Sequence, residues 1–561
     1  MNKPMNQYLA ITLGPIYETF RSVRHTREVW GASYLFSYIA KRIIEKLCEN
    51  GDTAANAHHF VQPNISDERL FEKNQKMGVG LFPDRIIVNA EILKGKDFET
   101  EIKSKIIDEL ANLMGDTQGF LKNYLRIDWC FCEVKESENP IKIAAAYLES
   151  AELQPRIVSS FDLKLENKNG STLQANVLKL FMKAVNKNGF LKEHYQEKDV
   201  NNTERFESLV EISTRELWKK DDAVKSKYIK LVNQYLWKDD EDVDSDGDFV
   251  KALQKDFKDD FKTYHKYVCV VKADGDGIGK LITGFTANDK IAQIGNLSKG
   301  LLEWGLEVKD TIRKYGGVPI YVGGDDLLFF APICNSYSTT ASQNIFSLLK
   351  QIKKSFEDKF ETNWSTNGGD KVSLSFGLSI TYYKFPLSEA IEKAGKLLTL
   401  TKDASNNSNG EKGGKLAISF LKNSGSTFDF ELKLKEDDAL QMAFGELYNT
   451  MTSDQSFLNG VNFKLRDNQE LIEKLADSES RLLNVFVNVF EEEIIPTKRK
   501  AKDEYLMVLR EFLRLSFNKS YHRNKNTRQN RMKEGTILAM REVFSAVRFA
   551  KFLRGYEELK D

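Results

Sequence analysis

Three aspartates, Asp274, Asp325 and Asp326, have the type and spacing for metal-assisted phosphoryl chemistry. Asp274 stands in YVCVVKADGDGIG (267–279), at the carboxyl end of an apolar stretch that reads as a buried strand. Asp325 and Asp326 follow Gly323 and Gly324 in VPIYVGGDDLLFFAP (318–332). A Gly-Gly-acidic turn between two β-rich runs reads as a tight hairpin. Clustered carboxylates repel one another and are costly unless a divalent cation binds between them. Oxygen-only ligands suit Mg²⁺ or Mn²⁺ held jointly with substrate phosphates. Two such ions could activate a ribose 3′-hydroxyl and stabilise departing pyrophosphate. Gly323 and Gly324 allow close approach of a phosphate to backbone, and with Gly275 and Asp276 they are candidate nucleotide-binding residues. An ordinary surface hairpin is the plain alternative for Gly-Gly-Asp-Asp alone. The strand with its Asp-Gly-Asp-Gly turn, about fifty residues upstream, favours the metal site.

The elements that must position these residues follow from hydrophobic periodicity. After the strand at 267–271 comes a helix from about 291 to 315, the two β-runs around 323–326, and a helix from about 342 to 360. A strand at 372–382, a helix at 387–402 and a strand at 415–421 complete the unit. The order β-α-β-β-α-β is the ferredoxin-like arrangement, so this stretch reads as an α+β palm. Near the amino terminus, YLAITLG (8–14) followed by helical patterning from 16 to about 48 has a weak likeness to the same plan, without paired carboxylates. Much of the remainder, above all 437–561, patterns as helix.

Composition sets outer bounds. The chain has 561 residues with 82 Lys+Arg and 82 Asp+Glu, so its net charge is zero and a nucleic-acid surface must be local. Five scattered cysteines form no Cys-x-x-Cys pair, which fits a reducing compartment and gives no reason to expect structural zinc. No apolar run approaches the ~18 residues of a membrane span. The protein is expected to be soluble and cytoplasmic, with no membrane partner.

The residues also carry a resemblance. Gly-Gly-Asp-Asp after an apolar strand, with Ala-Asp-Gly-Asp on the partner strand, resembles the polymerase/cyclase palm of diguanylate cyclases and CRISPR large subunits. LGPIYETFRSVRHTREVWGASYLFSYIAK (13–41) is similar to the opening of the large, polymerase-like subunit of type III-B CRISPR effector complexes, the Cmr members of the Cas-ten family. GVGLFPDRIIVNAE (78–91) resembles that family's Pro-Asn-Arg segment, with Asp84 in place of the usual Asn, and 375–402 resembles its stretch after the hairpin.

The resemblance implies an α+β fold with two ferredoxin-like palms, of which the second keeps its metal ligands. The implied domains are a first palm (1–105), a mainly helical domain (106–264), the second palm (265–425) and a basic helical C-terminal domain (426–561). It assigns Asp274, Asp325 and Asp326 as catalytic metal ligands. Lys402 is a candidate for the triphosphate, against a solvated helix end, and Ser375 and Gly377 are candidates near the nucleotide base. The implied activity is a target-RNA-activated nucleotidyltransferase using ATP. Its product would be a cyclic oligoadenylate, or AMP joined to S-adenosylmethionine as co-substrate. The implied partners are other Cmr subunits, CRISPR guide RNA and target RNA. With six histidines, no His-Asp dipeptide and a first palm beginning at residue 8, the family's HD nuclease domain and its DNA cleavage are not expected. A GTP-using diguanylate-cyclase-like enzyme and a silent scaffold that positions guide RNA are the competing readings.

Three further patterns bear on function. Asp242-Val-Asp-Ser-Asp-Gly-Asp matches the start of an EF-hand loop, but its twelfth position would be Leu253, so a solvated acidic loop is expected. Gly279-Lys280 lacks a P-loop's first glycine and its Ser/Thr. Residues 496–561 hold 17 Lys/Arg against 8 Asp/Glu. Arg514, Lys519, Arg523, Lys525, Arg528 and Arg531, among Phe512, Phe517 and Tyr521, suit single-stranded RNA or equally a solvated or subunit-docking helix face.

Overall fold

The computed structural model describes residues 5–555 apart from 49–51, 72–77, 117–118, 136–137, 155–162, 167–171, 176, 188–194, 196–205, 220, 237–244, 288–290, 336–343, 361–371, 407–413, 424, 426, 435–437, 476–477, 491–498 and 524–527. Its strands are β1 (Met5–Gly14), β2 (Phe60–Gln62), β3 (Arg85–Asn89), β4 (Arg126–Lys135), β5 (Leu163–Glu166), β6 (Thr172–Ala175), β7 (Tyr267–Asp276), β8 (Val318–Gly323), β9 (Asp326–Ala331), β10 (Ser373–Tyr382), β11 (Lys415–Leu421) and β12 (Thr427–Lys433).

Two sheets are built on one plan. The first has the antiparallel order β2-β3-β1-β4, with the helix Thr26–Leu47 between β1 and β2 and Ser104–Met114 between β3 and β4. The second has the order β12-β11-β10-β7-β9-β8, with Ile291–Tyr315 between β7 and β8 and Ile345–Phe360 between β9 and β10. Leaving out β11 and β12, both are the split β-α-β arrangement of the ferredoxin-like fold. The α+β class with two palms, expected from the resemblance, is what the chain adopts.

The palm boundaries differ from the expected ones. β4 lies beyond residue 105 yet pairs with β1 over its whole length, from Met5 opposite Lys135 to Gly14 opposite Arg126. The helix Pro140–Glu152 then covers the outer face of that pair through Ala144 and Leu148. The helix Val177–Lys187 also joins the first palm, where Phe181 stacks on Trp30. β12 lies beyond residue 425 and completes the second sheet against β11. Strand pairing is long-range, so a boundary drawn where periodicity changes misses a late strand that closes an early sheet.

Strand β7 runs through the middle of the second sheet, and Val268 to Val271 are inaccessible to solvent. A strand buried on both faces reads as a continuous apolar run, as this one does. The parallel step from β10 to β11 needs a crossover, supplied by the helix Leu387–Asn406. That helix lies close on the sheet because Gly377 has no side chain. A Cβ there would sit 2.1 Å from the carbonyl oxygen of Ala394 and 2.6 Å from the nitrogen of Leu398. The two long C-terminal helices, Arg499–Arg523 and Arg528–Leu553, lie over the outer strands, where Phe552 packs on Phe420 and edge-on to Tyr267.

The acidic run that resembled an EF-hand is not a loop throughout: Ser245–Phe257 is a helix that buries Phe249, Val250 and Leu253. Asp242 and Asp244 of that run lie outside the described residues. Among the described residues, no helix is long and apolar enough to cross a membrane.

Gly377→Ala should lower stability by about 3 kcal/mol, because the added methyl meets helix backbone that cannot rotate away. The midpoint of urea unfolding against the unsubstituted chain measures it, and an unchanged midpoint would contradict the packing role.

Candidate active site

The β-hairpin at the site is tight. Gly323 pairs with Asp326 across the β8–β9 turn, leaving Gly324 and Asp325 as its two-residue loop, and Gly324 takes φ +66°. That conformation suits glycine and strains most other residues. Across the other edge of β9, Ala273 pairs with Leu327. Extending this antiparallel register by one residue sets Asp326 beside Asp274, and Asp274 pairs on its other side with Ser375 of β10. Paired residues share a face of the sheet. Lys272, Asp274, Ser375 and Gly377 thus project toward the helix Leu387–Asn406. From that helix Lys402 reaches back and forms an ion pair with Asp274.

Asp325 takes another direction. It lies on Gly275, where a Cβ would be 2.8 Å from both its Cβ and its Oδ2, and the Gly275 amide donates to its carboxylate. Glycine at 275 is required by that close approach. The chain then turns at Gly277 (φ +87°) into the helix Ile278–Ala287.

Asp276, at the end of β7, is tied into the protein. It accepts hydrogen bonds from Ser375 Oγ (2.6 Å) and the Gly414 amide (3.1 Å), and Ser375 Oγ accepts one from the Lys415 amide (3.3 Å). Ser375 and Asp276 join β7, β10 and the start of β11 beneath the site. Gly377 lies against the crossover helix, which gives it a packing role.

Electrostatics set the carboxylates apart. Burial pushes Asp325 and Asp276 above the ordinary aspartate range, and the charge of Asp276 pushes Asp325 further. Asp326 is pushed up to about 7, first by desolvation and then by Asp325, with the cation of Lys272 opposing and Asp84 adding to the rise. Burial lowers Lys402 and Lys272. A second positive charge at the site would therefore be favourable near Asp325 and Asp326. All the donors are oxygens, as Mg²⁺ and Mn²⁺ prefer, and Mg²⁺ commonly takes only one or two protein carboxylates with substrate phosphates. The chemistry of the donors fits such an ion. The three aspartates are nevertheless not drawn into one shell: among the described residues no group of three or more acidic, His or Cys side chains is arranged to hold a metal.

Sequence reasoning missed Lys272, Tyr321 and Asp84 as members of this neighbourhood. Lys272 carried a signal, a lone charge in the apolar run of β7; Asp84, noted as a departure from the family pattern, comes from the other palm. The basic C-terminal candidates fare differently. Lys519 is committed inside the protein, donating to Glu542 (2.5 Å) and the carbonyl of Glu431 (2.8 Å). Arg514 sits at the surface in an ion pair with Glu511. Lys525 and the side chains of Arg523, Arg528 and Arg531 lie outside the described residues. Cys130 and Cys132 sit on β4 with their sulfurs 3.7 Å apart.

Asp326 yields a pH prediction for the metal-free protein. Its folded value near 7 exceeds the ordinary 3.8, so between those values the native state binds the extra proton. Its contribution to stability is present below the ordinary value and is lost as pH rises through 7. With chelator, the melting temperature should fall from about pH 5 to about pH 8, and the fall should be smaller in Asp326→Asn. Mg²⁺ should restore more of the loss at the upper pH to the unsubstituted chain than to the variant. Identical pH profiles would contradict the assignment.

Residues 8–115 match the family model for CRISPR-associated protein Cmr2, N-terminal, and residues 267–410 match that for Cas10/Cmr2, second palm domain. The CRISPR system Cmr subunit Cmr2 of Pyrococcus furiosus is 30% identical over 214 residues, a match covering 34% of this chain and 22% of that one. Among solved structures, a type III-B Cmr-beta complex in the apo state contains a chain similar in fold. The TM-score is 0.57 at 10% identity, covering 88% of this chain and 77% of that one. The Cmr-beta complex bound to cognate target RNA has another, with TM-score 0.52 at 11% identity, covering 87% and 78%. The two family models fall in chain order on the two palms described above, and together with the Cmr2 relative they support a Cas10/Cmr2 subunit of a type III-B CRISPR complex.

Proposed function

We propose that this chain is a nucleotidyltransferase that builds an antiviral second messenger from ATP, within a type III-B complex with other Cmr subunits and a guide RNA, when target RNA is bound. The observation that carries the reading is the β7–β9 register, which sets Asp274 beside Asp326 at a glycine hairpin, with the amine of Lys402 at the same place. The match to the Cas10/Cmr2 second-palm model and the fold shared with a chain of a target-RNA-bound Cmr-beta complex support the setting.

In the reaction, the acceptor 3′-oxygen bonds to the α-phosphorus of ATP, the bond to the bridging oxygen breaks, and pyrophosphate leaves. Divalent cations bound through Asp274, Asp325 and Asp326 would lower the pKa of the acceptor hydroxyl and stabilise charge on the departing pyrophosphate. Gly324 keeps the tip of the hairpin open where phosphate approaches, while Gly323 makes room for the Tyr321 ring. Lys402 neutralises Asp274 in the nucleotide-free chain and turns to the triphosphate when ATP arrives, leaving the carboxylate to a cation. Asp276 and Ser375 hold the strand ends on which Asp274 is carried. The acceptor is a second adenosine nucleotide, giving a cyclic oligoadenylate, or S-adenosylmethionine, giving its AMP adduct; the carboxylates meet only phosphate and hydroxyl in either case.

The test uses the assembled complex with guide RNA, Mg²⁺ or Mn²⁺ and α-labelled ATP, with and without target RNA and S-adenosylmethionine, products being identified by mass. Product should require target RNA. Asp325→Ala with Asp326→Ala should cut its formation by at least about 100-fold while the complex still assembles. Unchanged product formation in the double variant would refute the catalytic assignment. An absence of product in every lane, with ATP bound, would support a scaffold. Lys402→Ala should raise the KM for ATP about tenfold, the loss of one charge-assisted phosphate contact, and an unaltered KM would remove Lys402 from the phosphate site.

A further inference from the structure

β8 is the outer strand of the six-stranded sheet, so its far edge would leave backbone groups unpaired right beside the hairpin. That edge is filled from the first palm. The Gly80 amide donates to Ile320 O (3.1 Å) and the Val322 amide donates to Gly80 O (2.9 Å), a parallel bridge centred on Tyr321. Ser33 Oγ donates to the same Ile320 oxygen (3.1 Å).

One helix, Thr26–Leu47, holds the segment 78–82 in place. Trp30 Nε1 donates to Gly78 O (3.0 Å), and the amides of Leu81 and Phe82 both donate to Ser37 Oγ (2.9 Å each). The fit leaves no room at its centre. A Cβ at Gly80 would lie 2.3 Å from Ser33 Oγ and 3.1 Å from Tyr321 Cδ2. Tyr321, bracketed by the bridge, lays its ring over the hairpin, where a Cβ at Gly323 would lie 2.3 Å from the Tyr321 hydroxyl. Pairing within the sheet restrains the hairpin less, since β8 is irregular against β9 between Pro319 and Tyr321.

We infer that residues 78–82 act as a donated edge strand that positions the Gly-Gly-Asp-Asp hairpin, with Gly80, Ser33 and Ser37 as positioning residues through which the first palm governs the carboxylates of the second. The activity part of this inference rests on the nucleotidyl-transfer reading. The same segment continues to Asp84, whose charge is felt at Tyr321 and Asp326, so a shift of the first palm moves both the backbone support and a neighbouring charge.

Two measurements test it. In the full-length chain, Gly80→Ala should speed hydrogen exchange at Val322 and at residues 323–326 by about tenfold or more, the loss of roughly one hydrogen bond, with the β10 amides unchanged. Ser33→Ala, which adds no atoms, should act in the same place to a smaller degree, and it carries the test if loss of β10 protection shows that Gly80→Ala has not folded. In the assembled complex with guide and target RNA, both variants should lower kcat for product formation while the KM for ATP stays within about twofold. Wild-type exchange at 322–326 in both variants, or kcat unchanged from wild type, would overturn the inference. Faster hairpin exchange alongside a wild-type complex that makes no product would uphold the positioning device and overturn the nucleotidyl-transfer reading.

Discussion

Strand β7 is hydrogen-bonded along both edges, to β9 on one side and β10 on the other, and every distance in the site is measured from those two registers. Side chains on a strand alternate between faces, so a slip of one residue would carry Asp274 away from Asp326 and from Lys402 to the opposite face. The apolar run Val268 to Val271 prevents the slip, because it anchors the strand in a core closed on both sides. The polar residues that follow it, Lys272, Asp274 and Asp276, are thereby delivered to one place.

That delivery has an electrostatic cost which the fold meets in three ways. Asp276 is satisfied by hydroxyl and amide donors, Asp325 by the Gly275 amide, and Asp274 by the ammonium of Lys402. Asp326 is left crowded by the charge of Asp325 and eased only partly by Lys272. Such a perturbed group among clustered carboxylates is where chemistry is expected. The glycines serve the same end: Gly275 lets Asp325 approach the backbone, and Gly377 lets the helix that bears Lys402 come near.

The two palms share a plan and divide the work. The first bears no paired carboxylates on its strands, yet its long helix and the segment 78–82 complete the edge of the second at the strand leading into the hairpin. A palm without clustered carboxylates can thus keep a structural claim on the one that has them. The C-terminal helices illustrate the opposite use of charge. Lys519 and Lys551 bind Glu542 and Asn459 within the protein, so a basic run along a helix is in part internal mortar.

Much was legible in the sequence alone. The apolar run ending at Asp274, the turn chemistry of Gly323 to Asp326 and the alternation of elements after residue 267 are local patterns, and local patterns report strands, turns and helices directly. The family resemblance rested on contiguous motifs for the same reason. Tertiary structure alone decided what depends on partners distant in the chain. It showed that β4 closes the first sheet and β12 the second, that Gly377 yields to a helix, that Lys402 meets Asp274, and that Gly80 pairs beside Tyr321. Each of these is a contact between residues that neither propensity nor periodicity relates, because only the packing of the core brings them within hydrogen-bond reach.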